Sequence, residues 1–158
     1  MSNYDRIMTK KAIRPKPETS GEFRHIIPIQ LRFKDGDVMG HVNNANHFTY
    51  MEISRIRYFN DVVDAKNDWQ KNGIILAKIS IDYIQPVLLT DNISVSTRCT
   101  RLGNKSFDMV YEIRSTMKGR NIIKATGTST LVCFNYLENA SVPIPEKWRK
   151  KIIAFDRL

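Results

Sequence analysis

The chain has 158 residues and a formal charge of +9, from 25 Lys and Arg against 16 Asp and Glu. Its hydrophobic content of 42% and charged content of 26% are those of a globular domain large enough to bury a core without staples, and exclude a low-complexity or disulfide-scaffolded chain. No run is apolar for the length a bilayer span needs, and a positive excess of this size favours anionic partners.

Residues 1–22 show no hydrophobic periodicity and contain Pro15, Pro17 and Gly21. They read as a flexible basic N-terminal arm, ahead of a single domain over residues 23–158. The opening MSNYDRIMTKK has no apolar core and so is not expected to be a secretory signal. Cys99 and Cys133 form no spacing motif and read as free buried thiols of a reducing compartment, with a cytoplasmic location as the expectation. Basic runs stand at TKKAIRPKP and EKWRKK, but the arm lacks the interleaved aromatics of a nucleic-acid surface and no nucleic-acid motif is present, so no nucleic-acid partner is expected.

The stretch HIIPIQLRF, residues 25–33, predicts a strand, and Pro28 confines it to a sheet edge or a bulge. A polar loop follows, then a helix over about residues 44–63. Its apolar positions Phe48, Met51, Ile56, Phe59, Val62 and Val63 recur at helical spacing. Asn43 or Asn44 suits the N-cap. After Gly73 four segments alternate as strands, with one buried and one wet face expected, and the fourth carries small residues that permit close approach. Gly103 and Gly119 mark hairpin turns. The amphipathic PEKWRKKIIAF predicts a short closing helix. One helix for about five antiparallel strands implies an α+β layer in which the sheet curls around a single long central helix.

The polar loop lies in FKDGDVMGHVNNANHFTYMEISRIRYF, residues 33–59. Asp35, Asp37 and Gly40 stand at positions one, three and six of a calcium loop, but Met39 and Asn46 occupy positions that need oxygen ligands, and a strand precedes the loop. His41 and His47, six residues apart, do not share a helix face, so no metal is expected. The first turn of a helix exposes unpaired N–H groups and the positive end of the dipole, which suits a developing oxyanion. Asp37, just upstream, is a carboxylate that could attack a carbonyl or activate a water. His41 could orient Asp37 or assist proton transfer, and Asn43 and Asn44 could cap the helix or donate to the carbonyl. A thioester suits so sparse a site, because its thiolate leaves without strong acid assistance. A well-capped polar turn explains the same composition.

The motif DGDVMGHVNNANHFTYMEISRIRYF resembles the signature of hotdog-fold acyl-CoA thioesterases of the 4-hydroxybenzoyl-CoA thioesterase type. IDYIQPVLLTDNISV and RLGNKSFDMVYEI resemble two further blocks of that family, in order along the chain. The resemblance implies a hotdog fold, hydrolysis of an acyl-CoA without a separate cofactor, and a homodimer or homotetramer with the active site at the interface. It implies Asp37 as nucleophile or general base, Gly40 and His41 as the loop behind it, and Asn44 as the helix start whose N–H polarises the carbonyl. Gly103, Lys105 and Ser106, in the turn LGNKS, match positions that contact CoA phosphates. Acyl-carrier-protein thioesterases share His-Val-Asn-Asn but place an Asn where Met39 stands. A second lineage uses a Glu on the helix; Glu52 is that candidate, and a salt bridge with Arg55 at i+3 is the favoured reading. A non-catalytic acyl-thioester or acyl-carrier-protein binding module is the alternative function.

Overall fold

The computed structural model describes residues 21–117 and 119–158. The expected basic arm therefore falls, but for its last two residues, outside the described residues. Strand β1 (His25–Ile29) leads through a short 3-10 turn (Phe33–Asp35) and a polar loop into helix α1 (Asn44–Tyr58), which runs on as a π-helical turn (Phe59–Asp64). Strands β2 (Gly73–Tyr83), β3 (Ile93–Leu102), β4 (Ser106–Met117) and β5 (Arg120–Asn135) follow, then a two-residue β6 (Ala140–Ser141) and helix α2 (Glu146–Asp156). The main strands form one antiparallel sheet in the order β1-β3-β4-β5-β2. Pro28 lies on β1, an edge strand, where its missing N–H interrupts no second ladder.

The expected strand over 25–33 ends at Ile29, because the chain turns away to form the 3-10 turn. The expected helix is found, but its last six residues are π-helical rather than α. Its buried face also differs from the expected apolar set. Met51, Phe59 and Val63 are buried, whereas Ile56 is 53% exposed. In its place the helix buries His47, Tyr50, Ser54, Arg55 and Tyr58. Each of these finds a polar partner, which is what lets it go inside: Ser54 bonds Thr97 at 2.5 Å, Tyr50 donates to Asp35 at 3.0 Å and Tyr58 to Asp156 at 2.6 Å. Where α1 crosses β5, a Cβ on Gly127 would stand 2.5 Å from the Met51 methyl, so a larger residue there would push the tip of Met51 aside.

Phe107, Met109, Tyr111, Ile113, Leu131, Trp148 and Ile152 complete the core with the apolar residues of α1 and β3. The outward positions Ser96, Arg98, Glu112 and Thr126 are buried as well, contrary to the wet face that alternation implies. On this face Glu112 is paired to Arg114. Cys99 and Cys133 are free and buried. No helix among the described residues is long and apolar enough to cross a membrane.

Candidate active site

Two carboxylates two residues apart take opposite positions. Asp35 is buried and accepts from Arg32 N at 3.0 Å, Arg32 Nε at 3.1 Å and the Tyr50 hydroxyl at 3.0 Å. Burial opposes its ionisation, but these bonds and the guanidinium charge outweigh it and hold the carboxyl below the usual carboxylate range. Its backbone carbonyl accepts from Asn43 N–H at 2.8 Å and Asn46 Nδ2 at 2.9 Å. Asp35 thus fastens the loop to the helix.

Asp37 is exposed, on a tight loop between Gly36 and Val42, which form an isolated antiparallel bridge. Its N–H donates to the His41 carbonyl at 2.7 Å, and its carbonyl accepts from Gly40 N–H at 3.1 Å. Gly40 closes the turn at φ +76, a conformation glycine adopts without steric cost. Asp37 Oδ1 accepts from Met39 N–H at 2.8 Å and His41 N–H at 3.2 Å. Its Oδ2 makes no hydrogen bond among the described residues.

Asn43 is the N-cap: its Oδ1 accepts from Ala45 N–H at 2.9 Å. Asn44 is therefore the first helical residue, and its N–H has no intrahelical acceptor. A cavity of about 320 Å³ opens here, lined by Asp37, His41, Asn44, His47, Tyr83 and the 84–87 segment. The far wall is held down by Lys124, which donates to the Pro86 carbonyl at 3.1 Å and pairs with Asp91 at 3.2 Å while nearly buried. Val42 N–H reaches the Val87 carbonyl at 2.8 Å and closes the wall onto the loop.

Three of the four expected reactive residues, Asp37, His41 and Asn44, line one cavity, and Asn43 stands behind them as the cap. Gly103, Lys105 and Ser106 lie elsewhere. They form the β3–β4 turn, closed by Gly103 N–H to Ser106 O at 2.7 Å, and Lys105 Nζ donates to the Ser141 carbonyl at 2.8 Å. The cavity sits beside the start of β3 and the turn at its end, so one chain separates them by a strand length of about 30 Å. Glu52 and Arg55 make the i,i+3 pair, at 3.7 Å. Among the described residues no group of three or more His, Cys, Asp or Glu side chains could hold a metal ion.

His47 and Tyr83 are the lining residues that sequence reasoning missed. In the sequence His47 reads only as a possible metal partner of His41. The available signal was its place one turn beyond the N-cap, where i and i+4 share a face. Its ring is 2% exposed and packs edge-on against Tyr83 at 5.1 Å. Burial is the largest influence and drives its pKa below the ordinary histidine value, only partly offset by the carbonyls of Asn43 and Asn44.

The curled antiparallel sheet with its helix is consistent with the hotdog thioesterase fold. The chain belongs to the Thioesterase-like superfamily, whose family model matches residues 31–152. It is similar to the crystal structure of a thioesterase from Thermus thermophilus complexed with coenzyme A and Zn, at 34% identity over 83% of this chain and 98% of that one, with a TM-score of 0.71. It is 23% identical to the long-chain acyl-CoA thioesterase FadM of Escherichia coli (strain K12), over 78% of this chain and 93% of that protein. It is 25% identical to the uncharacterized protein YsmA of Bacillus subtilis (strain 168) over 61% of this chain, a match that spans 65% of that protein's length.

Proposed function

We propose that this thioester hydrolase is an acyl-CoA thioesterase, with Asp37 as nucleophile or general base and the N–H of Asn44 as the oxyanion donor. The observation that carries this reading is the state of the Asp37 carboxylate: one oxygen clamped by two backbone N–H groups, the other unbonded, on a cavity that Asn44 also lines. The clamp fixes the direction of the free oxygen, and an N–H at the dipole-positive end of α1 favours charge developing on a nearby carbonyl oxygen. His41 holds the loop through its N–H and carbonyl. The sheet is read as a hotdog curl with α1 and its π-helical extension as the central helix, and no cofactor beyond the CoA of the substrate is invoked.

The pantetheine and nucleotide need a second surface, and we assign it to Gly103, Lys105 and Ser106 of a partner subunit. Among the described residues strand β2 is an edge, paired only by β5, and it exposes Ile75 and Leu76, the latter lining a shallow cavity with the exposed Ile56 of α1. Unpaired apolar edges seek a partner. A two-fold axis across β2 would run the two edges antiparallel and carry the partner's β3–β4 turn toward this chain's cavity. A homodimer, or a pair of them, is the assembly this requires. The charge of +9 suits the phosphates of CoA, and equally an acidic acyl carrier protein, the second reading. Comparing kcat/KM for the two donors at rising salt separates them, because the protein donor loses far more steering.

The test is thiol release from a panel of acyl-CoAs by wild type and Asp37→Asn. The Asn keeps an oxygen for the two N–H groups but is a poor nucleophile and base, so kcat should fall about 10³-fold with Tm unchanged. Full activity in the variant would reject Asp37 as the reactive group. Lys105→Ala should raise KM for acyl-CoA several-fold, roughly one charge-assisted contact, and leave kcat alone.

A further inference from the structure

We infer that His47 is the proton acceptor for the hydrolytic water, a role additional to that of Asp37 and resting on the proposed reading with Asp37 as nucleophile. Three observations meet at this side chain. It lines the same cavity as Asp37 and Asn44. Its Nδ1 lies 3.3 Å from the Asn43 carbonyl oxygen, which can only accept, so Nδ1 carries the hydrogen and Nε2 is a bare lone pair in the neutral ring. Nε2 makes no hydrogen bond among the described residues, in a residue that is otherwise buried. Unlike His25 Nδ1, which is buried without a partner, His47 Nε2 is not sealed from solvent, and its side chain lines the cavity that Asp37 lines, so it is the atom left to meet a water there.

The arrangement explains how one carboxylate can serve a two-step hydrolysis. Asp37 Oδ2 bonds to the acyl carbon, the C–S bond breaks, and its electron pair leaves with the CoA thiolate. Asp37 is then an anhydride and has no base to offer. Water bonds to the acyl carbon while one of its protons passes to His47 Nε2. The acyl–Oδ2 bond breaks and its pair restores the carboxylate. The imidazolium proton then passes to the thiolate or to solvent, so thioester plus water gives acid plus thiol. The backbone carbonyl of Asn43 holds the ring in the required tautomer throughout, as an orienting acceptor does for a catalytic histidine generally. The helix N-terminus and burial both oppose a resting charge on the ring, so it waits as a base. The groups around it are Asp37 and His41 from the loop, Tyr83 from β2 and, on its own helix, Tyr50, behind which lies Asp35.

His47→Asn and His47→Gln test this. Asn keeps a donor near the Nδ1 position for the Asn43 carbonyl and lacks the base; Gln reaches the Nε2 position with an amide. With wild-type secondary structure and Tm, both variants should release a rapid burst of about one thiol per Asp37, then turn over roughly 10²- to 10³-fold more slowly than wild type. Mass spectrometry should find the acyl group on the peptide containing Asp37. The acid limb of the wild-type kcat profile, with a midpoint below the ordinary histidine value, should vanish from the residual turnover. Turnover within about threefold of wild type in His47→Asn would overturn the proposal, leaving His47 a helix-capping donor. Loss of the burst together with turnover in folded variants would overturn it too. Asp37→Asn separates the two ideas: an active Asp37→Asn sinks the reading of the site itself, whereas an inactive Asp37→Asn beside a normal His47→Asn sinks only the role of His47.

Discussion

The two ends of α1 each gather a carboxylate, a histidine and a tyrosine, and they dispose of them differently. At the C-terminal end Tyr58 donates to Asp156 at 2.6 Å, Cys99 N–H donates to the same oxygen at 2.8 Å, and His25 bonds Asp61 at 3.1 Å. These groups bond one another inside the protein, with His25 Nδ1 and Asp156 Oδ1 buried and without a hydrogen-bond partner among the described residues, and burial raises the Cys99 thiol to about 12, which keeps it unreactive. At the N-terminal end Asp37 and His47 are each tied through one atom and keep the other free, beside a cavity. The same residue types make a clamp where the spare atoms are sealed inside the protein, as His25 Nδ1 and Asp156 Oδ1 are, and a candidate site where they face a cavity.

The sharpest way to break this contrast is to exchange the fates of the two neighbouring carboxylates. Asp37→Asn should cost activity, about 10³-fold, and almost no stability. Asp35→Asn should do the reverse. It removes an oxygen that Arg32 and Tyr50 both use inside the protein, and a loss of about 2–3 kcal/mol in urea unfolding is expected from stranding those donors. Urea melts and thiol-release assays on both variants check it. If Asp35→Asn lost activity alone and Asp37→Asn lost stability alone, the assignment of roles would be inverted.

The next effect is structural but reads out at the site. Lys124 and Asp91 form a nearly buried pair beneath the cavity wall at Pro86 and Val87. Lys124→Met leaves Asp91 a buried charge held only by Leu88 N–H, at a cost of about 3 kcal/mol. With the wall loosened, KM should rise at a temperature where the variant remains folded. An unchanged KM would mean that backbone bonds hold the wall without the Lys124 side chain: Val42 N–H to the Val87 carbonyl, and Ile84 and Gln85 N–H to the Lys124 carbonyl.

How much of this could be read in advance follows the range of the forces involved. Alternation and turn glycines are local, so the four later strands and the closing helix were legible, as was the loop-to-helix junction from its Asp, Gly and Asn residues. The buried face of α1 was not. Periodicity ranks Ile56 as core and Arg55 as surface, but Arg55 goes inside because Tyr111 from β4 and Glu52 receive it, and no local pattern contains β4. The same holds for His47, whose importance depends on a cavity walled by residues some forty positions away. Lys105 was legible as a cation on a turn. Its distance from Asp37 along the sheet is a property of strand register, and the composite site proposed above between two chains is what would reconcile the two.

The smallest effects test the sealed end. Tyr58→Phe removes one of the two donors to Asp156 Oδ2 and should cost about 1 kcal/mol, with activity unchanged. The pH dependence of stability distinguishes this cluster from Asp35 by its sign. Burial, more than its hydrogen bonds offset, raises the folded-state pKa of Asp156 above the unfolded value. Its contribution is therefore fullest below about pH 3.9 and declines as pH rises through the folded pKa. Asp35, depressed in the fold, contributes fully above about pH 3.9, and loses that contribution as pH falls through its folded pKa. Urea midpoints from pH 3 to 7 should thus show Asp156→Asn flattening the decline on the neutral side and Asp35→Asn flattening the acid limb. Matching profiles in the two variants would mean that the closed end carries no desolvated charge, and the contrast between the two ends of α1 would then rest on geometry alone.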